Sequence, residues 1–206
     1  RNSINLLLLF WRLGRKNPAI LLLAVFLGTG WYGYEVYHAR PIMAYMGVPK
    51  AEGWSPGTWT RVFRNDGFMV GYSDLRGNPL WVIYRLTPIP DNAGRHRRPE
   101  RFSTDWRSLT RVDHDDYTGS GYDRGHLAPN YAISRLYGKE AQLDSFLMTN
   151  ITPQKPNLNQ KLWQRLEEAE ADLFASRFGT VWVVTGPIFG QKTKRLRSSS
   201  WVEIPE

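Results

Sequence analysis

Ser120-Gly-Tyr-Asp-Arg-Gly-His-Leu-Ala-Pro129 is the densest run of chemistry-bearing residues in a chain of 206 residues. Two further blocks follow it, Met148-Thr-Asn-Ile-Thr-Pro-Gln-Lys155 and Leu158-Asn-Gln-Lys-Leu-Trp-Gln-Arg-Leu-Glu167. His126 comes after a glycine, at the end of a strand or loop, and an ordinary imidazole pKa of about 6.5 lies near neutral pH. Asn159 stands 33 residues further on, in the first turn of a helix that starts after Pro156. Glu167 lies eight residues beyond Asn159. Eight steps of about 100° bring it within about 80° of Asn159 on the helix surface, two turns away. An imidazole on a strand or loop and an amide and carboxylate on a helix can thus face one another.

Outward from these blocks, the sequence reads as α+β with an antiparallel sheet core. Leu158, Leu162, Leu166, Ala169 and Leu173 recur at helical spacing, which predicts one apolar stripe packed on the core. Gly179 suits the end of that helix, and Thr180–Thr185 reads as a buried strand bounded by Gly186-Pro187. Upstream, Thr60–Arg64, Phe68–Ser73 and Leu80–Leu86 read as strands separated by the turn residues Asn65-Asp66-Gly67 and Arg76-Gly77-Asn78-Pro79, an antiparallel meander. Residues 88–122 form a loop-rich excursion carrying the basic cluster Arg95-His-Arg-Arg98, and Gln191–Ser200 reads as a polar loop with Lys192, Lys194, Arg195 and Arg197.

The chain has no cysteine, which excludes disulfides, zinc fingers, iron–sulfur clusters and a thiol nucleophile, and leaves any metal to oxygen and nitrogen ligands. An aromatic content of 14% with 22% charged residues indicates a packed core. The net charge of +8 makes a polyanionic partner acceptable and a basic one unfavourable. No charged residue lies between Asn17 and Tyr34, and the centre of that run, Ala19–Leu27, is strongly apolar. About 18 residues at 1.5 Å each nearly reach the roughly 30 Å of a bilayer core. Arg12, Arg15 and Lys16 precede the run, and Trp31, Tyr32 and Tyr34 cluster at its far end. The positive-inside rule then predicts a single transmembrane helix with its N-terminus cytoplasmic and the rest extracytoplasmic. A cleaved signal and a buried helix are the competing readings. The shorter run Ile4–Trp11 reads as interfacial. The expected organisation is residues 1–34 as basic segment and anchor, 35–57 as linker, and 58–206 as the folded domain.

The three blocks, in this order and with this spacing, closely resemble the DNA/RNA non-specific endonucleases, the ββα-metal (His-Me finger) nucleases that include endonuclease G. Asp123-Arg124-Gly125-His126 carries the resemblance, with Asn150-Ile-Thr-Pro-Gln154 and Leu158-Asn159-Gln160…Trp163…Leu166-Glu167 downstream. It runs from about Trp59 to the C-terminus, where the family continues through further strands to a helix, so the domain reads as cut short there.

The resemblance implies a metal-dependent, sugar-non-specific endonuclease acting on DNA and RNA and leaving 5′-phosphates. By it, His126 is the general base, Asn159 is the one protein ligand of a hard cation, Mg²⁺ with Mn²⁺ able to substitute, and Glu167 assists. Arg124 or an upstream arginine, Arg98 before Arg101, grips phosphate. Asn150, which either fixes local backbone or lies at the periphery of the site, and Gln160 join the substrate-binding set, Asp123 braces the loop, and Gly125 permits a tight turn or close approach. Asp113-His-Asp-Asp116 reads as a solvated acidic loop, and His38 and His96 have no assigned role. A homodimer is compatible with the sequence. A membrane-anchored non-catalytic nucleic-acid-binding module and a related nucleotide phosphodiesterase are the alternatives. Periplasm, cell surface and mitochondrial intermembrane space all fit the predicted topology.

Overall fold

The computed structural model describes Gly14 and residues 16–206; the run Ile4–Trp11 and the basic residues Arg12 and Arg15 lie outside the described residues. The chain divides into two compact units, Arg1–Ile42 and Met43–Glu206. In the first, helix α1 (Pro18–Tyr34) starts where Asn17 Oδ1 accepts a hydrogen bond from Ala19 N at 3.2 Å and Pro18 occupies the first turn. It continues without a break through Glu35–Ala39 and Arg40–Ile42. The resulting helix, Pro18–Ile42, is long and apolar enough to cross a membrane. The expected linker therefore begins eight residues later than the sequence reading put it, because 35–40 contain no glycine or proline to stop the helix.

The second unit is built on a four-stranded antiparallel sheet of order β1-β2-β3-β6, with β1 Arg61–Asn65, β2 Phe68–Ser73, β3 Asn78–Leu86 and β6 Val181–Thr185. Gly67 adopts φ +82° in the β1–β2 turn, where a side chain would be strained. Alternation along β2 and β3 sends Phe68, Val70, Val82, Tyr84 and Leu86 to one face and Met69, Trp81 and Ile83 to the other. Burying each large apolar side chain contributes on the order of 1.5–3 kcal/mol. The second face is covered by Met43, Ala44 and Val48, so part of the expected linker is a packed strap.

The first face is covered by two helices. Helix α2 (Asn130–Ser145) supplies Ala132, Ile133 and Ala141, and helix α3 (158–178) supplies Trp163, Ala171 and Ala175. Wide, π-type turns at Leu158–Trp163 and Ala169–Phe174 alternate in α3 with α-helical ones, and Gly179, at φ +78°, ends it. The leucine stripe does not face the core. Leu162 and Leu173 are 67% and 58% exposed, while the alanines on the other side are fully buried and let the helix approach the sheet closely.

A two-stranded antiparallel ribbon, β4 (Asp123–His126) and β5 (Ile151–Gln154), pairs His126 with Ile151 and Gly125 with Thr152. A second ribbon, β7 (Arg195–Leu196) with β8 (Ser199–Glu203), replaces part of the expected polar loop Gln191–Ser200. Its Leu196 and Val202 are buried with Val112, Tyr117, Met148 and Ile151, which gives the C-terminal segment a core of its own. Glu203 seals it by pairing with Arg76 at the β2–β3 turn.

Candidate active site

Ribbon β4–β5, helix α3 and the 88–122 excursion enclose a cleft of about 650 Å³. β4 supplies Asp123, Arg124 and His126, α3 supplies Asn159, Gln160 and Glu167, and the excursion supplies Arg98.

His126 is 9% exposed and lies between two phenyl rings, with Phe102 at 5.1 Å and Phe146 at 5.0 Å between centroids. Its Nε2 is shielded from solvent and has no hydrogen-bond partner among the described residues. Burial, reinforced by the positive charge of Arg98, pushes its pKa down to about 3, well below the ordinary value used in the sequence reading. The imidazole is therefore neutral across the physiological range. Its backbone is held from the helix side, since the Trp163 indole N–H donates to His126 O at 3.2 Å.

Two α3 amides converge on one carboxylate. Asn159 Nδ2 donates to Asp123 Oδ2 at 2.9 Å, and Gln160 Nε2 donates to the same oxygen at 2.7 Å. Asp123 thereby ties the ribbon to the first turns of α3, and the Asn159 amide keeps Oδ1 as its acceptor. Glu167 lies two turns along the helix, half-buried, with Oε1 shielded and lacking a hydrogen-bond partner among the described residues. Burial pushes its carboxyl up to about 8 against the opposing pull of Trp163 and Arg98.

Arg98 reaches the cleft with its guanidinium 5.3 Å from the Phe146 ring centre and forms no ion pair among the described residues. The reserve candidate Arg101 does not line the cleft, because it pairs with Asp115 at 2.8 Å. Arg124 lines the cleft, yet its Nε and Nη2 donate to His114 O at 2.9 and 2.6 Å and Nη2 also donates to Thr118 Oγ1 at 3.0 Å. These bonds hold the 114–118 turn against β4, a bracing role beside that of Asp123, which ties the ribbon to α3.

Of the two roles open to Asn150 in the sequence, its contacts are those of the backbone-fixing one. It is fully buried, its Oδ1 accepts from Ala128 N, and its Nδ2 donates to Ala128 O and Ser145 O, so it clamps backbone beneath the ribbon. At Gly125 a Cβ would meet the Gln154 side chain at 2.3 Å, so the close approach there is to the partner strand. The acidic run 113–116 folds into a turn capped by its own carboxylates, and no cluster of three or more His, Asp or Glu able to hold a metal occurs among the described residues. Sequence reasoning missed the rings that house His126. Phe102 lies in the stretch 97–105, which resembles the family's Arg…Phe-x-x-Asp pattern, and Phe146 carries no motif.

Residues 53–206 match the model of the DNA/RNA non-specific endonuclease family, and the chain belongs to that family. It is 34% identical over 131 residues to human mitochondrial endonuclease G, covering 63% of this chain and 43% of that protein. It is 31% identical over 149 residues to mouse mitochondrial nuclease EXOG, covering 71% and 38%, and 34% identical over 159 residues to a nuclease of Syncephalastrum racemosum, covering 73% and 49%. The chain thus spans less than half the length of these relatives. A crystal structure of the EndoG/EndoGI complex, described as showing the mechanism of EndoG inhibition, has the same fold, with a TM-score of 0.64 at 22% identity over 80% of this chain and 69% of that one.

Proposed function

We propose that this protein is a metal-dependent endonuclease that hydrolyses phosphodiester bonds in both DNA and RNA and leaves 5′-phosphate ends. The observation that carries the reading is a neutral, apolar-walled imidazole opening on the same cleft as Asn159, Glu167 and Arg98, which forms no ion pair among the described residues.

The residues present fit a hard divalent cation. Asn159 offers a fixed amide oxygen, Glu167 offers an unpartnered buried carboxyl oxygen, and neither softer ligands nor a carboxylate cage surround them. Such a donor set suits Mg²⁺, which keeps most of its waters, and Mn²⁺ in its place. When bound, the ion supplies charge stabilisation to the phosphate and to the departing 3′-oxygen.

The chain's own groups do the rest. His126 takes the proton of the attacking water, with its ring fixed between Phe102 and Phe146. Arg98 grips a phosphate oxygen. As the phosphate neutralises Arg98, the charge that helps depress His126 is offset, and its proton affinity rises when it is needed. Glu167, neutral near pH 7 while the cleft holds no cation, ionises as positive charge enters. The arginine of the cleft addresses phosphate rather than bases, so the expected sequence preference is weak.

The apolar helix Pro18–Ile42 supports a membrane anchor with the nuclease unit extracytoplasmic, and the mitochondrial names of the relatives favour an intermembrane-space setting among the three compartments considered.

The test is degradation of supercoiled plasmid and of RNA by the full chain in mild detergent, with Mg²⁺ or EDTA, beside His126→Ala and Asn159→Ala. Mg²⁺-dependent cleavage lost in both variants supports the proposal. Intact nucleic acid that is still bound points to the non-catalytic binding module, and cleavage confined to small diesters points to a nucleotide phosphodiesterase.

A further inference from the structure

A second recess of about 370 Å³ adjoins the catalytic cleft, and Asn130 and Tyr131, the first two residues of α2, line both. The two spaces differ in charge. Carboxylates of Asp123, Glu167, Glu168 and Asp172 face the cleft, whereas the recess is lined by no carboxylate and by Arg95, Arg135 and His96. Neither Arg95 nor Arg135 has an ion pair or hydrogen bond among the described residues, and Arg135 Nε is shielded from solvent with no acceptor. Arg135 lies over the Tyr131 ring at 5.9 Å, and both arginines exert their charge on the Tyr131 hydroxyl. That hydroxyl donates to Asp172 Oδ1 at 3.0 Å and so forms the partition between the two spaces. On the recess floor Gln142 is 1% exposed. Its Nε2 donates to Asn130 Oδ1 at 3.0 Å and its Oε1 has no partner.

A buried guanidinium nitrogen without an acceptor, beside a second free guanidinium, loses solvation without compensation until an anion arrives. We propose that the recess formed by Arg95 and Arg135 binds a backbone phosphate of the nucleic acid strand next to the one being cut, on the far side of Tyr131. The inference rests on the nuclease reading and deepens it. The positive charge that favours a polymer over a small diester is concentrated outside the cleft where the chemistry occurs. Gln142 Oε1 is then an acceptor for a sugar hydroxyl or base amine of the same strand.

The experiment measures binding of a fluorescein-labelled 12-mer oligothymidylate to the full chain in EDTA, where hydrolysis is blocked, from 50 to 300 mM KCl. It compares wild type with Arg95→Gln, Arg95→Gln/Arg135→Gln and Arg95→Lys/Arg135→Lys. Each lost phosphate contact lowers the slope of log K against log salt by about 0.7 on a single strand. The double Gln variant is expected to lose about 1.4 of slope and roughly tenfold in affinity at 100 mM, and the Lys variant to keep most of both. With Mg²⁺, turnover of bis(p-nitrophenyl) phosphate stays unchanged in all three.

Arg95 is exposed, so its single substitution leaves folding intact and carries about half the effect if the double variant fails to fold. An unchanged slope in the folded variants overturns the inference, and so does an equal loss on the small diester. A wild-type chain that cuts nothing but shows the charge-dependent slope refutes the nuclease reading and leaves the recess standing. Efficient plasmid cleavage with an unchanged slope does the reverse.

Discussion

Asn159 and Asp123 are joined side chain to side chain at 2.9 Å, which locks the first turn of α3 to the strand that carries His126. The bond fixes which way the Asn159 amide faces, because its nitrogen is already committed. Asp123→Ala frees that amide to rotate. Loss of such a supporting hydrogen bond typically weakens metal affinity about 10–100-fold. The expected outcome is an Mg²⁺ requirement for plasmid nicking raised by about tenfold, with cleavage recovered at high Mg²⁺; the midpoint of an Mg²⁺ titration reads it directly.

His126→Ala removes the proposed base and is expected to slow cleavage by about 10²–10⁴-fold while leaving oligonucleotide binding in EDTA near the wild-type value. Single-turnover cleavage of a labelled duplex, beside anisotropy in EDTA, separates the two effects.

The same histidine sets a pH dependence of stability. Its native pKa of about 3 lies below the value near 6.5 that it takes when unfolded. Between those values the unfolded chain binds the proton and the native one does not, so stability is present above about pH 6.5 and is lost as pH falls toward 3. Replacing His126 with Leu flattens that limb, which urea denaturation at pH 7.5 and pH 4.5 will reveal.

Glu167 acts in the opposite sense. Its native pKa of about 8 is above the unfolded carboxyl value, so its contribution is fully present below about pH 4.5 and is lost as pH rises through 8. In EDTA, Glu167→Gln is expected to melt higher than wild type at pH 9 and with wild type at pH 4. The variant nevertheless loses cleavage with Mg²⁺. A melt unchanged at pH 9 would contradict the buried carboxyl.

Asn150→Ala strips three hydrogen bonds from fully buried backbone groups. An unsatisfied buried group costs about 1–3 kcal/mol, so a destabilisation of about 2–4 kcal/mol is expected. Folded protein recovered below its lowered denaturation midpoint should still bind Mg²⁺, because the side chain does not reach the cleft.

Much of this architecture was legible beforehand, for identifiable reasons. Strands β1, β2 and β3 are marked by short apolar segments with turn residues between them and β6 by an apolar run bounded by Gly186-Pro187; of the three site blocks, the first and third share one cleft, while the middle one supplies the partner strand β5. Helix α2 was not read. Its buried side includes Ala132, Ser134, Ala141 and Gln142, small or polar residues that give almost no hydrophobic rhythm, and Gly138 interrupts it with φ +90°. In α3 the rhythm misled: the leucines mark the outer surface, and Trp163, Ala171 and Ala175 do the packing. For Arg124 and Asn150 a motif records that a residue type recurs, while only geometry shows which donors are already spent on backbone.

The ribbon that presents His126 is four residues long on each side, and its pairing places Gly125 opposite Thr152 and His126 opposite Ile151. In a strand, a slip of one residue exchanges the faces, which would turn the imidazole away from the cleft and aim its neighbour there. Asn159 and Arg98 reach the same cleft from segments that are neighbours of His126 only in the finished fold. A chain still being synthesised, threaded or degraded therefore carries all the chemistry of the site in disarmed form. Folding itself is the step that assembles the site.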